Sequence, residues 1–329
     1  MIDVLRVLSK HAFFLWLSGF REACSLHRAF FFCKRSRKLA IRTGQCFILN
    51  GLIFLGSILL LNSVIKPILF SILPHDCRQL SSSVPCDFQR TLKLYAFLRS
   101  LLIEIFYVLW FYPLYLFSFI ISSLWYNDIA QQAFLVMEDT SHAKEHPSGS
   151  STSTTAFVDK REGFEGFVIG LAEQIYSVLL LIFFFIEVSL VGLLPYIGVP
   201  AKFILLSWMY SYYCFEYKWN LADFGCKERL ELFHTNWAFF AGFGSPCALA
   251  IFFFSPLVSG GVMAILFPLF VLSATGTQER QLILSHGKMM GSREPVKIPV
   301  FYAVDILATW TLRHFFSATS HGKSDDKAH

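Results

Sequence analysis

Lys66, Glu104, Glu187 and Lys202 lie inside long apolar runs, and chemistry would be sought there first. An ionised group at the centre of a bilayer is costly, so such a residue faces protein, water or a partner charge. One reading makes Glu104 and Glu187 part of an ion path or a proton relay. The plainer reading carries more weight: Glu187 caps a hydrogen-bond network, while the lysines, nearer the ends of their runs, snorkel to the headgroups. Of the eight cysteines none forms a CxxC pair, and no histidines stand at ligand spacing, so a zinc site is not expected. Cys77 and Cys86 share a short polar loop and, in an oxidising lumen, have the placement to close a small ring; two free thiols are the alternative. Cys24 and Cys33 stand beside basic residues, where reversible palmitoylation is conceivable. With no nucleophile–base motif, phosphate loop or dinucleotide fingerprint, neither catalysis nor a cofactor is expected.

What must position these residues is a membrane. Charged residues make up only 16% of the chain, where soluble domains carry about a quarter. A water-soluble core of this size cannot hide 37 phenylalanines without leaving large apolar patches exposed. A helix needs roughly 20 mostly apolar residues to cross a hydrocarbon core about 30 Å thick. Residues 44–73 and 94–123 satisfy this easily, with the polar loop 74–93 between them. Residues 168–194 and 196–215 form a second apolar pair divided at Pro195, and 237–255 and 257–275 a third divided at Pro256. An arm of about 19 residues rises only about 28 Å. Because the later pairs turn at a proline with few or no charges, at least one hairpin is expected to penetrate partway and return; two full crossings are the alternative. The fold class is therefore all-α, a polytopic membrane bundle of two long transmembrane helices plus two helical hairpins.

Nine Lys/Arg against two Asp/Glu in residues 1–43 put the N-terminus in the cytosol by the positive-inside rule. For that basic cluster anionic lipid is a simpler partner than nucleic acid. Residues 2–32 read as an uncleaved amphipathic or interfacial helix. The cytosolic parts are then 1–43, 124–167, 216–236 and 274–329. Residues 140–155 hold nine Ser/Thr and no large apolar side chain, which predicts a disordered linker, and the tail from 317 reads the same way. In 298–316, Asp305, Thr309 and Arg313 fall on one helical stripe, as expected of an interfacial helix or one packed on the bundle. The organisation is a basic N-terminal region 1–43, a membrane domain 44–275 with a linker at about 140–160, an interfacial helical region 276–316 and a tail 317–329.

Several ordered stretches then carry a resemblance. Tyr213-Cys214-Phe215-Glu216-Tyr217-Lys218-Trp219 is followed by Asn236-Trp237, Gly242-Phe243-Gly244 with Pro246, and Leu266-Phe267-Pro268-Leu269-Phe270 leading to Ser273-Ala274. Earlier come Asn50-Gly51, Trp125-Tyr126-Asn127-Asp128-Ile129-Ala130 and Ala133-Phe134. Together they resemble the etoposide-induced 2.4 family of endoplasmic-reticulum membrane proteins, similar in turn to the bacterial sulfate transporter CysZ. The resemblance implies two long transmembrane helices with partly penetrating helix pairs, residence in the endoplasmic reticulum and a role in autophagy. It also leads to partners among autophagy or contact-site proteins, with a sulfate-like anion transporter as the alternative. Physically, the rings of 213–219 suit the headgroup layer, with Glu216 and Lys218 reaching water, so the stretch reads first as an interfacial anchor and second as a partner surface. Asp128 is placed to cap a short cytosolic helix, and Pro113 and Pro268 to kink theirs.

Overall fold

In the computed structural model, residues 2–72, 89–145, 164–289 and 297–325 are described, and all regular structure among them is helical. The loop that carries Cys77 and Cys86 lies outside them. The helices are α1 (Ile2–Ala23), α2 (His27–Arg35), α3 (Arg37–Phe47), α4 (Gly56–Leu60), α5 (Lys66–Ile72), α6 (Gln89–Phe106) and α7 (Tyr112–Glu145). They continue as α8 (Phe164–Val191), α9 (Gly198–Leu221), α10 (Cys226–Thr235), α11 (Trp237–Phe252), α12 (Pro256–Gly276), α13 (Glu279–Met289) and α14 (Tyr302–Asp325).

Four stretches are long and apolar enough to cross a membrane: Arg37–Ile72, Lys93–Asp139, Ala172–Val191 and Val258–Gly276. The first two are the expected long helices. They run 36 and 47 residues, well beyond the roughly 20 that a crossing needs. Helix α11 is shorter, at 16 residues, and rises only about 24 Å. Helix α9 is long but too rich in Ser, Tyr and Trp to join the four. Both hairpin tips are apolar and open: Leu193, Leu194, Tyr196 and Ile197 between α8 and α9, and Phe253 and Phe254 between α11 and α12.

The chain divides into two compact units. The first comprises Met1–Arg35, Ala130–Leu249 and Leu269–His329; the second comprises Ser36–Ile129 and Ala250–Pro268. In the second unit the long helices are interrupted by π-helical turns at Ile48–Leu55, Leu61–Ile65 and Tyr107–Phe111. Two of these end two residues before a proline, Pro67 and Pro113. A proline ring presses on the carbonyl four residues earlier, here that of Ser63 or Leu109, and each lies in the widened turn that can yield. The small core of this unit is Phe54, Ile58, Leu61 and Phe111. Its two long helices are joined by a buried polar lock. Asn50 donates to the Cys46 carbonyl at 3.0 Å and to Ser122 Oγ at 2.9 Å, and accepts from Ser118 Oγ at 2.5 Å.

The first unit is built on aromatic packing. Phe215 lies against Trp219, Phe239, Phe240 and Phe243, and Phe301 against Phe184, Tyr212 and Phe233. Helix α11 runs through this core on two glycines. A methyl group placed on Gly242 would overlap the Trp16 carbonyl of α1, and one placed on Gly244 the Ser207 carbonyl of α9. At about 100° per residue, positions two apart lie on nearly opposite helix faces, so the pair lets two backbones close on α11 from either side. Trp16 Nε1 donates to Ser245 Oγ at 3.2 Å, tying α1 to the same helix.

Three expectations change here. The linker starts later, because α7 runs on to Glu145, and the stretch from 317 is helical to Asp325. Extending an existing helix needs no new nucleus, so Ser/Thr-rich ends continue it. Asp128 caps nothing: it lies within α7, where it pairs with Arg42 at 3.4 Å. Residues 302–314 pack on the bundle, with Val304 and Ala308 buried and Tyr176 of α8 donating to Asp305 Oδ1 at 2.5 Å.

Candidate functional site

The richest polar assembly among the described residues grips the end of α12. Here the last carbonyls have no partners along the helix and carry the negative end of its dipole. Two cations satisfy them: Arg28 of α2 donates to the Gly276 carbonyl at 3.2 Å, and Lys218 of α9 donates to that of Thr277. Each cation also holds a carboxylate. Arg28 pairs with Glu22 at 2.5 Å, and Thr277 Oγ1 donates to the same Glu22 oxygen at 3.2 Å. Lys218 pairs with Glu279 at 2.5 Å, and Trp219 Nε1 donates to the other Glu279 oxygen at 3.2 Å. The side chains of Lys218 and Glu279 are only 12% and 7% exposed. Two adjacent residues of α9 therefore fix one carboxylate at the start of α13, and the double clamp holds five helices.

This corrects the reading of the 213–219 stretch. Glu216 is buried, 5% exposed, and Lys218 turns inward, so neither reaches water. Phe215 and Trp219 are core side chains. Tyr213 and Tyr217 are half-buried and join hydroxyls at 3.0 Å. A second buried cation, Arg229 of α10, donates through Nε to the Phe224 carbonyl at 2.6 Å and through Nη1 to Asn220 Oδ1 at 2.6 Å, pinning α10 to the end of α9. The surface that this region offers is instead Lys227, Glu228 and Glu231 on α10.

Glu104 and Glu187 are not brought into one site. Glu104 belongs to the second unit and is exposed; Glu187 belongs to the first and is half-buried. Its Oε2 is enclosed and takes no hydrogen bond among the described residues, so the expected network does not form around it. Lys202 is exposed, near the α8–α9 tip. Lys66 is half-buried and donates to Asn62 Oδ1 at 2.9 Å and to Tyr107 Oη at 3.4 Å, joining two π-helical turns of the second unit. Trp125 is half-buried.

Residues that sequence reasoning passed over include Arg28, Glu279, Arg229 and Arg99. Nothing in the local pattern joins Lys218 to a carboxylate 61 residues away. Arg99 did carry a signal, since it lies inside the second apolar run; it is buried and sits over the Phe70 ring at 4.4 Å.

The family model for sulfate transporter CysZ/etoposide-induced protein 2.4 matches residues 25–268. The chain is 52% identical over 321 residues to "Protein EI24 homolog" of Arabidopsis thaliana, covering 96% of this chain and 99% of that protein. It is 27% identical over 300 residues to "Protein EI24 homolog" of Dictyostelium discoideum, 91% of this chain and 83% of that one. A shorter stretch of 107 residues, 32% of this chain and 34% of the other, is 33% identical to "Ectopic P granules protein 4" of Caenorhabditis elegans. No solved structure matches.

Proposed function

Because the chain belongs to the sulfate transporter CysZ/etoposide-induced protein 2.4 family, we propose that it is a multi-pass endoplasmic-reticulum membrane protein acting in autophagosome maturation as a non-enzymatic membrane organiser. Both termini lie in the cytosol, where the basic residues of 1–43 meet anionic lipid. The observation that carries the reading is the double clamp. The ionic groups of the 213–219 stretch and its partners bind one another and fix helix ends, as a scaffold requires. Partner contacts fall to surfaces left open in the first unit: Lys227, Glu228 and Glu231 on α10, and Gln131 and Leu135 on α7. The apolar hairpin tips suit segments that end within the bilayer rather than in water. Cells lacking the protein should show slowed autophagic flux that re-expression restores; normal flux in those cells would overturn the proposal.

One observation favours the second reading, transport of a sulfate-like anion. Lys66 and Arg99 both lie in apolar helices of the second unit, the first bonded to Tyr107 and the second packed on Phe70. Intramembrane cations of this kind mark ion pathways in other proteins.

A further inference from the structure

A cavity of about 980 Å³ opens in the first unit between α8, α10, the segment 297–299 and α14. The proposed function draws only on its rim, at Lys227 and Glu231. Its construction is asymmetric in charge. The inner wall carries Glu173, Tyr176, His234 and Asp305, all half-buried, and the mouth carries the exposed Lys227, Lys297 and Glu231. Lys297 and Glu231 neutralise each other at 3.0 Å, which leaves Lys227 as the surplus cation of the mouth among the described residues. Inside, the hydroxyls of Tyr176 and Thr309 both donate to Asp305 Oδ1, at 2.5 and 3.5 Å. No cation pairs with Asp305 among the described residues, and its Oδ2 accepts no hydrogen bond among them.

His234 adds no positive charge to this wall. Its Nε2 accepts the Phe301 amide proton at 3.2 Å, so that nitrogen carries no proton. Burial also disfavours its charged form, although Asp305 opposes that effect. The cavity is therefore anionic at its depth and cationic at its lip. Glu173 and Gln174 are the last charged or amide side chains of α8 before the apolar run 175–186, so the cavity lies where that helix enters its apolar stretch. Ala172, Leu230 and Pro299 give it apolar wall as well.

We propose that this cavity binds a zwitterionic phospholipid headgroup, its ammonium end drawn in toward Asp305 and its phosphate held at the mouth by Lys227. A polyanion would meet the Asp305 carboxylate inside, and a simple cation would leave Lys227 unused. The alternating charge of phosphoethanolamine or phosphocholine matches both ends.

The test is calorimetric titration of the purified full-length chain in detergent with dihexanoyl phosphatidylethanolamine, dihexanoyl phosphatidylglycerol, glycerophosphoethanolamine and ethanolamine. The ethanolamine lipid should bind saturably, and the glycerol lipid, which lacks the amine, at least tenfold more weakly. Glycerophosphoethanolamine, without chains, should bind more weakly than the lipid but respond to the same substitutions. Asp305→Asn should weaken the ethanolamine lipid about tenfold. Lys227→Gln, at an exposed position that cannot unfold the chain, should weaken the lipid severalfold and leave ethanolamine unchanged. Equal binding of the two lipids overturns the proposal, as does an unchanged affinity in Lys227→Gln. Headgroup binding as tight as lipid binding would make the occupant a soluble compound and overturn the lipid assignment.

Discussion

The two units handle buried polarity in opposite ways. In the second, the two long helices meet through a neutral lock, Asn50 with Ser118 and Ser122, and otherwise through apolar side chains. Only 28% and 17% of their most apolar windows are buried, so the remaining surface must be covered by lipid tails. In the first unit, the exit of α12 is held by two ion pairs, of which Lys218–Glu279 is nearly enclosed and Arg28–Glu22 is partly open. Neutral hydrogen bonds between membrane helices contribute modestly, about 0.6–2 kcal/mol. A buried ion pair behaves differently: its net value is small, yet breaking one side leaves a stranded charge worth about 3–5 kcal/mol. The first unit should therefore respond to single substitutions far more sharply than the second.

The largest effect is expected from Lys218→Met, which leaves Glu279 buried beside Trp219 without its cation. A loss of about 3–5 kcal/mol should appear as a lower midpoint in thermal unfolding of the detergent-solubilised chain. Adding Glu279→Gln should recover much of it, and failure to recover would mean that the pair is not the clamp. Next comes Gly244→Ala, whose methyl group must push α9 off α11, at about 1–3 kcal/mol; Gly242→Ala should do the same to α1. In the second unit Asn50→Leu should cost about 1–2 kcal/mol, because two serine hydroxyls lose their partner. If Asn50→Leu cost as much as Lys218→Met, the contrast between the units would fail.

A smaller effect concerns pH. His234 is held below its ordinary value by burial, so the unfolded chain binds the proton more readily than the folded one. Stability is then full above about pH 6.5 and declines as pH falls below it. The protection of the Phe301 amide against exchange, taken relative to the intrinsic rate at each pH, should fall between pH 7.5 and 5.5, because protonation of Nε2 removes its acceptor, and His234→Gln should abolish that dependence. The smallest effect is expected from Lys297→Ala. Its pair with Glu231 is 61% and 71% exposed, and breaking it should change stability by less than about 0.5 kcal/mol.

The sequence made legible what depends on local composition. The two long helices, the proline-turned hairpins and the basic start all follow from apolar run length and charge placement. Pairing across distance was hidden. Glu216 and Lys218 sit among aromatic residues at the end of an apolar run, a pattern that equally describes an interfacial anchor. Only the fold brings Glu279 to Lys218 and draws both Glu216 and Lys218 inward. Gly242-Phe243-Gly244 was visible as a motif, but not that its glycines admit a different helix on each side. The ends of α7 and α14 were misplaced because Ser/Thr-rich composition was read as disorder where a helix simply continues.

The central claim is that the buried charges of the first unit fix helices rather than form a conduit, and that the protein organises membranes rather than moving ions. The most direct measurement is uptake of labelled sulfate into liposomes containing the purified chain, alongside empty liposomes and Arg99→Gln, with the thermal transition of each preparation recorded. The account predicts uptake at the level of empty liposomes by protein that still unfolds cooperatively. Saturable uptake well above that level, lost in Arg99→Gln, would contradict it and place the function in the cations of the second unit.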